Sequence, residues 1–156
     1  MKKKIIILLI LIALFSVILY FQLRIPNSGI MICNYSDNSD NVSISTKYTI
    51  TYENMYVTKL ITVEKVVSDD DNLLLEYRDN LKSMYSLYND IKYYDNSVKL
   101  KNDTVTSITE INYKKIDTNK LIELDTSNKY LINNGKINIK DIKKIYSNNG
   151  AKCKIK

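Results

Sequence analysis

Two cysteines, Cys33 and Cys153, carry the most reactive side chains of this 156-residue chain. A cysteine can be a lipid attachment point, a redox-active thiol or half of a disulfide. The bulky run Ile30–Ile32 precedes Cys33, whereas lipid attachment needs a small residue just before the cysteine. Neither cysteine belongs to a Cys-x-x-Cys pair, which is typical of redox-active thiols. The residues therefore favour a structural disulfide, with free or intermolecular thiols as the alternative.

Histidine and tryptophan are absent from the sequence. Their absence excludes Ser-His-Asp and Cys-His catalytic devices and every metal site that uses histidine. The three glycines, Gly29, Gly135 and Gly150, are too few and too dispersed for a phosphate-binding loop. A Ser-Lys pair or two carboxylates remain open as catalytic groups. We therefore expect no enzyme, no catalytic residues, no cofactor and no metal site, and a histidine-free hydrolase is the least favoured function.

The N-terminus predicts a membrane anchor. Lysines at positions 2–4 precede an uncharged run from Ile5 to Phe21, and Arg24 follows it. A helix over this run is about 26 Å long, close to the roughly 30 Å of a bilayer's hydrocarbon core. The positive-inside rule places the lysines in the cytoplasm and the rest of the chain outside. Residues 1–24 are thus predicted to be an uncleaved single-pass signal anchor in the cell membrane; a cleaved secretory signal is the alternative.

Export by either route brings both cysteines into an oxidising compartment, where an even cysteine count usually means a bridge. Cys33 lies near the start of the exported part and Cys153 near its end. A disulfide between them would join the two ends of the domain. In the chain-entropy model, closing a loop of about 100 residues stabilises the fold by about 4 to 5 kcal/mol.

The exported part divides by composition. Residues 25–42 are rich in polar side chains and are predicted to be a tether, and residues 43–156 are predicted to be a single domain. Residues 25–110 contain eight basic and 13 acidic side chains, whereas 111–156 contain 11 basic and four acidic. This basic third is suited to an anionic leaflet or a teichoic-type polymer, but its lysines are dispersed, which favours an ordinary solvated surface. Arg78 is the one arginine outside the anchor, and this scarcity, together with export, argues against nucleic acid.

Hydrophobic periodicity predicts two β-hairpins. Residues alternate between apolar and polar over Val42–Tyr52. Glu53-Asn54 separates this run from Met55–Val67, where Val57, Ile61 and Val63 share one face and Lys59 is an exception. A similar alternation over 98–113 surrounds Asn102-Asp103, two residues that favour turns. These segments predict an antiparallel sheet.

Three helices accompany the predicted hairpins. An apolar stripe predicts an amphipathic helix over about 70–89, with Ser68 as its cap and Asp69–Asp71 at its positive end; metal ligation is the alternative use of those carboxylates. A short helix is predicted over Asp117–Leu124, and a last one begins near Asn138 and ends at Asn148-Asn149-Gly150. The fold class is therefore α+β, an antiparallel sheet of two hairpins with a helix between them and two short C-terminal helices, in the order ββαββαα.

This succession of features resembles the YehR-like family of small bacterial cell-envelope lipoproteins, whose function is uncharacterised. The resemblance rests on the lysine-led apolar segment, the hairpin "YTITYENMYVTKLITVEKV" (Tyr48–Val66), the tyrosine-rich helix, and a closing helix that runs into "NNGAKCK" (Asn148–Lys154). It covers most of residues 43–156. The resemblance implies an envelope-exposed α+β domain and supplies no catalytic residue. Lipid anchoring is not carried over, because Cys33 lacks the setting of a lipidated cysteine.

Twelve tyrosines lie outside the predicted anchor, and Tyr35, Tyr93 and Tyr94 among them fit no apolar stripe. Exposed tyrosine packs well at protein interfaces, so these three residues are the candidate binding surface; partly buried edge tyrosines are the alternative. The expected function is a membrane-anchored extracytoplasmic binding or accessory module that contacts an envelope protein or polymer. A purely structural or stress-related envelope protein is the second hypothesis.

Overall fold

The fold is seen in a computed structural model that describes residues 25–39 and 41–156. Eight strands, three α-helices and one 3₁₀-helix follow one another along this part of the chain. In chain order they are β1 (Gly29–Ser39), β2 (Val42–Glu53), β3 (Tyr56–Ser68), α1 (Asp71–Ser86), β4 (Tyr94–Lys101), β5 (Thr104–Asn112), α2 (Thr118–Leu124), the 3₁₀-helix (Thr126–Tyr130), β6 (Ile132–Asn133), β7 (Lys136–Ile137), α3 (Ile139–Asn148) and β8 (Lys152–Ile155).

Six of the strands form one antiparallel sheet in the order β4-β5-β3-β2-β1-β8, and β6 and β7 form a separate two-stranded hairpin. The α+β class and both predicted hairpins, β2–β3 and β4–β5, are confirmed. The predicted order ββαββαα is wrong, because β1 precedes the first hairpin, β6–β7 precedes α3, and β8 follows it. The missed strands are polar over half their length or have four residues or fewer, so their alternation is weak as a local signal.

The polar tether predicted over 25–42 is also wrong over most of its length. Residues 29–39 pair with β2 along their whole length, and residues 31–34 pair with β8 as well. Asn27 and Ser28 are held by hydrogen bonds that their oxygens accept from the backbone N–H groups of Met55 (2.7 Å) and Asn54 (3.2 Å). The polar side chains of β1 face solvent in alternation with buried Met31, so their polarity marks a one-sided strand.

Turn residues fix the registers of the two predicted hairpins. Asn54 and Met55, between β2 and β3, both have positive φ, at 50° and 69°, as a two-residue turn of the mirror-image type requires. Asn102 has φ 53° between β4 and β5. At the end of α3, Gly150 has φ 86° and makes the predicted left-handed C-terminal turn.

Asp70 caps α1, and its Oδ1 accepts hydrogen bonds from Asn72 N (3.0 Å) and Leu73 N (3.1 Å). The predicted cap, Ser68, instead accepts a hydrogen bond from the N–H of Asp70. The helix ends at Ser86 rather than at residue 89, because the chain turns there through hydrogen bonds that span three residues. The cap satisfies two of the N–H groups that a helix start leaves unpaired.

All the buried apolar side chains of the sheet lie on one face. They belong to two separate clusters, which we call the first core and the second core. The first core includes Met31, Ile50 and Leu60 and is covered by α2, α3 and the β6–β7 hairpin. The second core joins Val66 and Val105 to Leu74 and Leu81 of α1. The opposite face of the sheet has no buried residue among those described, so the domain is a sheet with one covered and one open face.

The predicted anchor, residues 1–24, lies outside the described residues. Within the part of the chain that the structure describes, no helix has both the length and the apolar character needed to cross a membrane.

Candidate functional site

Cys33 and Cys153 form the predicted disulfide, with a Cα–Cα distance of 4.0 Å. They are direct partners on β1 and β8. Lys156 N donates a hydrogen bond to Ile30 O, and hydrogen-bonded pairs alternate with non-hydrogen-bonded pairs in an antiparallel ladder. Counting along the ladder from Ile30 places the cysteines at a non-hydrogen-bonded pair, where side chains lie closest. The disulfide therefore holds a four-residue edge strand in the sheet.

The three candidate tyrosines do not form one surface. Tyr35 lies on β1, where its ring is 3.5 Å from the position that a Cβ on Gly150 would take. Tyr94 opens β4, faces the cores, and stacks on Tyr88 with ring centroids 4.7 Å apart. Tyr93 precedes it, with a positive φ of 70° and a ring that is 46% exposed. Because β1 and β4 are four strand spacings apart, about 19 Å, Tyr35 and the Tyr93-Tyr94 pair act separately.

A band of polar side chains separates the first core from the second core, and we call it the polar strip. It crosses the covered face of β2, β3 and β5 in two adjacent rows of register partners, which are Tyr48, Thr62 and Thr109 in one row and Thr46, Glu64 and Ser107 in the other. The Tyr77 hydroxyl of α1 donates to Glu64 Oε1 at 2.7 Å. The hydroxyl of Thr109 is buried and has no protein partner.

Tyrosines frame the polar strip. Tyr146 of α3 stacks on Tyr48 with ring centroids 4.1 Å apart. Burial, more than any neighbouring charge, raises the pKa of Tyr48, Tyr77 and Tyr146. These phenols stay protonated at neutral pH, and the hydroxyl of Tyr77 is the donor to Glu64. The strip therefore offers hydroxyls and one carboxylate, and the carboxylate is held by the hydroxyl of Tyr77.

The open face of the sheet is strongly basic. We define it by the side chains that point away from the helices, which are at every second position of each strand. Eight of them are lysines and three are carboxylates; the lysines are Lys47, Lys59, Lys65, Lys99, Lys101, Lys152, Lys154 and Lys156, and the carboxylates are Glu53, Asp95 and Glu110. Lys59 and Glu110 form an ion pair across β3 and β5. Glu53 is paired with Lys114, which is outside the open face, so seven lysines of the open face remain beside Asp95.

Apolar β-branched side chains occupy the middle of the open face. Ile32 and Ile61 lie in one row across the sheet, and Val63 and Ile108 lie as direct partners in the next. Ile30, at the end of β1, is 40% exposed and Ile108 is 42% exposed. A row of lysines on β8 borders this apolar centre at one edge, and Lys99 and Lys101 of β4 border it at the other.

Sequence reasoning missed the open face. The run "KCKIK" carries a visible signal, because Lys152, Lys154 and Lys156 alternate with Cys153 and Ile155. This alternation is typical of a strand that is basic on one side. Five of the eight open-face lysines precede residue 111 and so lie outside the basic third considered above; alternation within each strand brings them onto one face together with the three lysines of 152–156.

No cluster of three or more cysteine, aspartate or glutamate side chains that could hold a metal ion occurs within residues 25–39 and 41–156. Asp69, Asp70 and Asp71 begin α1, and Asp70 serves as its cap.

Comparison with known proteins gives a fold but no activity. No protein-family model matches the chain, and no curated protein matches it by sequence. Among solved structures, the NMR structure of the Escherichia coli YehR protein superposes with a TM-score of 0.56 at 14% identity, over 82% of this chain and 93% of that one. The fold is YehR-like. The NMR structure of a protein from Streptococcus pneumoniae TIGR4 superposes with a TM-score of 0.51 at 15% identity, over 84% of this chain and 88% of that one.

Proposed function

We propose that the protein is a membrane-anchored extracytoplasmic binding module that holds an anionic envelope polymer against the open face of its sheet. The observation that carries the proposal is the surplus of lysine on that face, where eight lysines accompany three carboxylates. A surface of one sign attracts a partner of the other sign, and it raises the rate of encounter as well as the affinity.

The chemistry of the open face favours a polymer over a small, precisely oriented ligand. Lysine is a flexible point charge, whereas arginine recognises phosphate or carboxylate through a rigid bidentate fork. The open face has lysines and no arginine. Lys152 and Lys154 are about 6.6 Å apart along β8, so successive charges of a linear polyanion can each approach an ammonium group. Teichoic-type chains of repeating phosphodiesters are the polymer class that fits.

The extracytoplasmic location of the domain is part of the proposal. It is supported by the lysine-led apolar segment at residues 1–24, by the disulfide, which is typical of an oxidising compartment, and by the YehR-like fold. Membership of the YehR-like family of envelope lipoproteins is proposed on the same grounds, with a protein anchor in place of a lipid.

A purely structural or stress-related envelope protein is the alternative function, and a histidine-free hydrolase is the least favoured. A structural protein would have no affinity for a polyanion, and a hydrolase would consume one.

The experiment measures binding of poly(glycerol phosphate) to the full chain in nanodiscs of neutral lipid. We expect saturable binding that weakens as salt is added, because added ions screen the charges. The triple variant Lys47→Glu/Lys152→Glu/Lys154→Glu is expected to bind at least about tenfold more weakly, which corresponds to about 1.4 kcal/mol.

The control is Lys82→Glu/Lys129→Glu/Lys144→Glu, in which exposed lysines outside the open face undergo the same change of net charge. We expect this variant to lose much less affinity. Equal losses in both triple variants would show that net charge alone attracts the polymer. No salt-dependent binding by the unmodified chain would favour the structural alternative, and release of glycerol phosphate would favour the hydrolase.

A further inference from the structure

The chain enters the domain at one end of the sheet, which we call the entry end. β1 and β3 begin there and β2 and β5 finish there, because Gly29 pairs with Tyr52 and Lys59 pairs with Asn112. Tyr56 forms an isolated bridge with Asn138, which brings the β6–β7 hairpin and the start of α3 to the same end.

Residues 25–28, which lead into the entry end, are held against the domain. Ile25 packs against the first core, and Asn27 and Ser28 accept hydrogen bonds from the β2–β3 turn. The predicted anchor finishes at residue 24, and one extended residue spans at most about 3.6 Å. A domain held by that anchor must therefore keep its entry end at the membrane surface.

Two exposed tyrosines at the entry end each have a lysine above the ring. Lys136 Nζ is 5.1 Å from the ring centroid of Tyr56, which is 41% exposed, and Lys115 Nζ is 5.4 Å from that of Tyr93. Tyrosine is enriched at membrane interfaces, where its amphipathic ring rests at the level of the headgroups. Lysine near a membrane surface is attracted to anionic lipid headgroups.

Several carboxylates oppose these charges at the entry end, and exposed Asp90, Asp95 and Asp117 lie within three positions of Tyr93 or Lys115 in the chain. Glu53 is held by Lys114, with 2.8 Å between Oε1 and Nζ. Asp141 lines the shallow depression that also contains Tyr56 and Lys136. Lysines and carboxylates are therefore mixed at the entry end, and Lys115 and Lys136 are the lysines placed over exposed tyrosine rings.

We propose that the entry end is a second binding surface, in which the Lys136–Tyr56 and Lys115–Tyr93 pairs seat the domain on anionic lipid headgroups. The inference rests on the anchored function proposed above but is independent of polymer binding. Seated in this way, the strands stand away from the membrane and the open face points sideways, where an envelope polymer has free access to it.

The test places the full chain in phosphatidylcholine nanodiscs, with and without phosphatidylglycerol, that carry a gadolinium chelate on some headgroups. Paramagnetic relaxation of backbone amides reports distance from the headgroups. We expect several-fold faster relaxation at residues 114, 115 and 136 than at residues 43 and 67, which lie about 36 Å away along the strands. The difference should grow when phosphatidylglycerol is present.

The variant Lys115→Glu/Lys136→Glu should reduce relaxation at the entry end while the chain stays in the disc. The control Lys82→Glu/Lys144→Glu, on α1 and α3, makes the same change of net charge and should leave it unchanged. Equal relaxation at both ends of the sheet, or equal effects of the two variants, would overturn the seating. A chain that does not co-purify with the discs would overturn the anchored function as well.

Discussion

The disulfide between Cys33 and Cys153 holds β8 at the edge of the sheet, where the hydrogen bonds of so short a strand would hold it poorly. β8 pairs with β1 at four positions only, and an edge strand of that length has few contacts with which to offset the entropy of ordering it. The disulfide closes a loop with a sequence separation of 120 residues. It also keeps the three lysines of β8 in line with the rest of the open face.

Replacing both cysteines, as Cys33→Ala/Cys153→Ala, should lower the free energy of unfolding by roughly 3 to 5 kcal/mol, because the unfolded chain regains the entropy of the open loop. Chemical denaturation under oxidising conditions measures the change. A reducing agent should destabilise the unmodified chain by a similar amount and leave the double variant unaffected. If the reducing agent had no effect on the unmodified chain, the disulfide would contribute nothing to stability.

Helix α1 shows how a local signal and a packing signal combine. Its apolar stripe places Leu74 and Leu81 in the second core, and this is the part that periodicity predicted. Its start is set by which acidic side chain can reach the free N–H groups, and Asp70 has the required extended backbone, with φ −93° and ψ 102°. Ser68 was the wrong cap because it lies in β3, two residues too early.

Asp70→Ala should lower the free energy of unfolding by about 1 kcal/mol, since two backbone N–H groups at the helix start lose their acceptor. Asp71→Ala is the matched control, because it removes a neighbouring carboxylate that interacts with the helix dipole but caps nothing, and its effect should be smaller. Urea denaturation of the three proteins gives the comparison. A loss at Asp71 as large as that at Asp70 would show that charge matters more than the cap.

The whole domain depends on β1, the strand that was predicted to be a tether. β1 joins β2 to β8, contributes fully buried Met31 and Cys33 to the first core, and leads directly from the predicted anchor into the sheet. The same placement gives the open face its row of side chains between β8 and β2. A flexible tether would leave β8 without a neighbour and the disulfide without a rigid partner.

A fragment of residues 25–156 is expected to fold with a cooperative unfolding transition, because both cores and the disulfide lie within it. A fragment of residues 43–156, which matches the domain boundary predicted from the sequence, should fail to fold. Dispersion of amide resonances and circular dichroism distinguish the two outcomes. A well-folded 43–156 fragment would mean that β1 is an accessory strand.

The amino-acid sequence by itself determined the two hairpins, helix α1 up to its cap, the last turn of α3, and the pairing of two cysteines. Each of these depends on residues near one another in the chain: alternation, an apolar stripe, and turn residues such as Asn54 and Gly150. The cysteine pairing was accessible because two cysteines admit one intramolecular bridge.

The tertiary structure alone decided that β1 and β8 join the sheet and that the helices cover one of its faces. It also decided that lysines from the neighbours of β1 and from more distant strands share the open face. The sequence could not supply these facts, since a strand's partner is chosen by which apolar faces bury one another across long separations. Tyr35 and Tyr93 were grouped together and lie more than about 19 Å apart, because four strand spacings separate β1 from β4. Lysines that are far apart in the chain share one face, because alternation within each strand and register between strands act together only in the folded sheet.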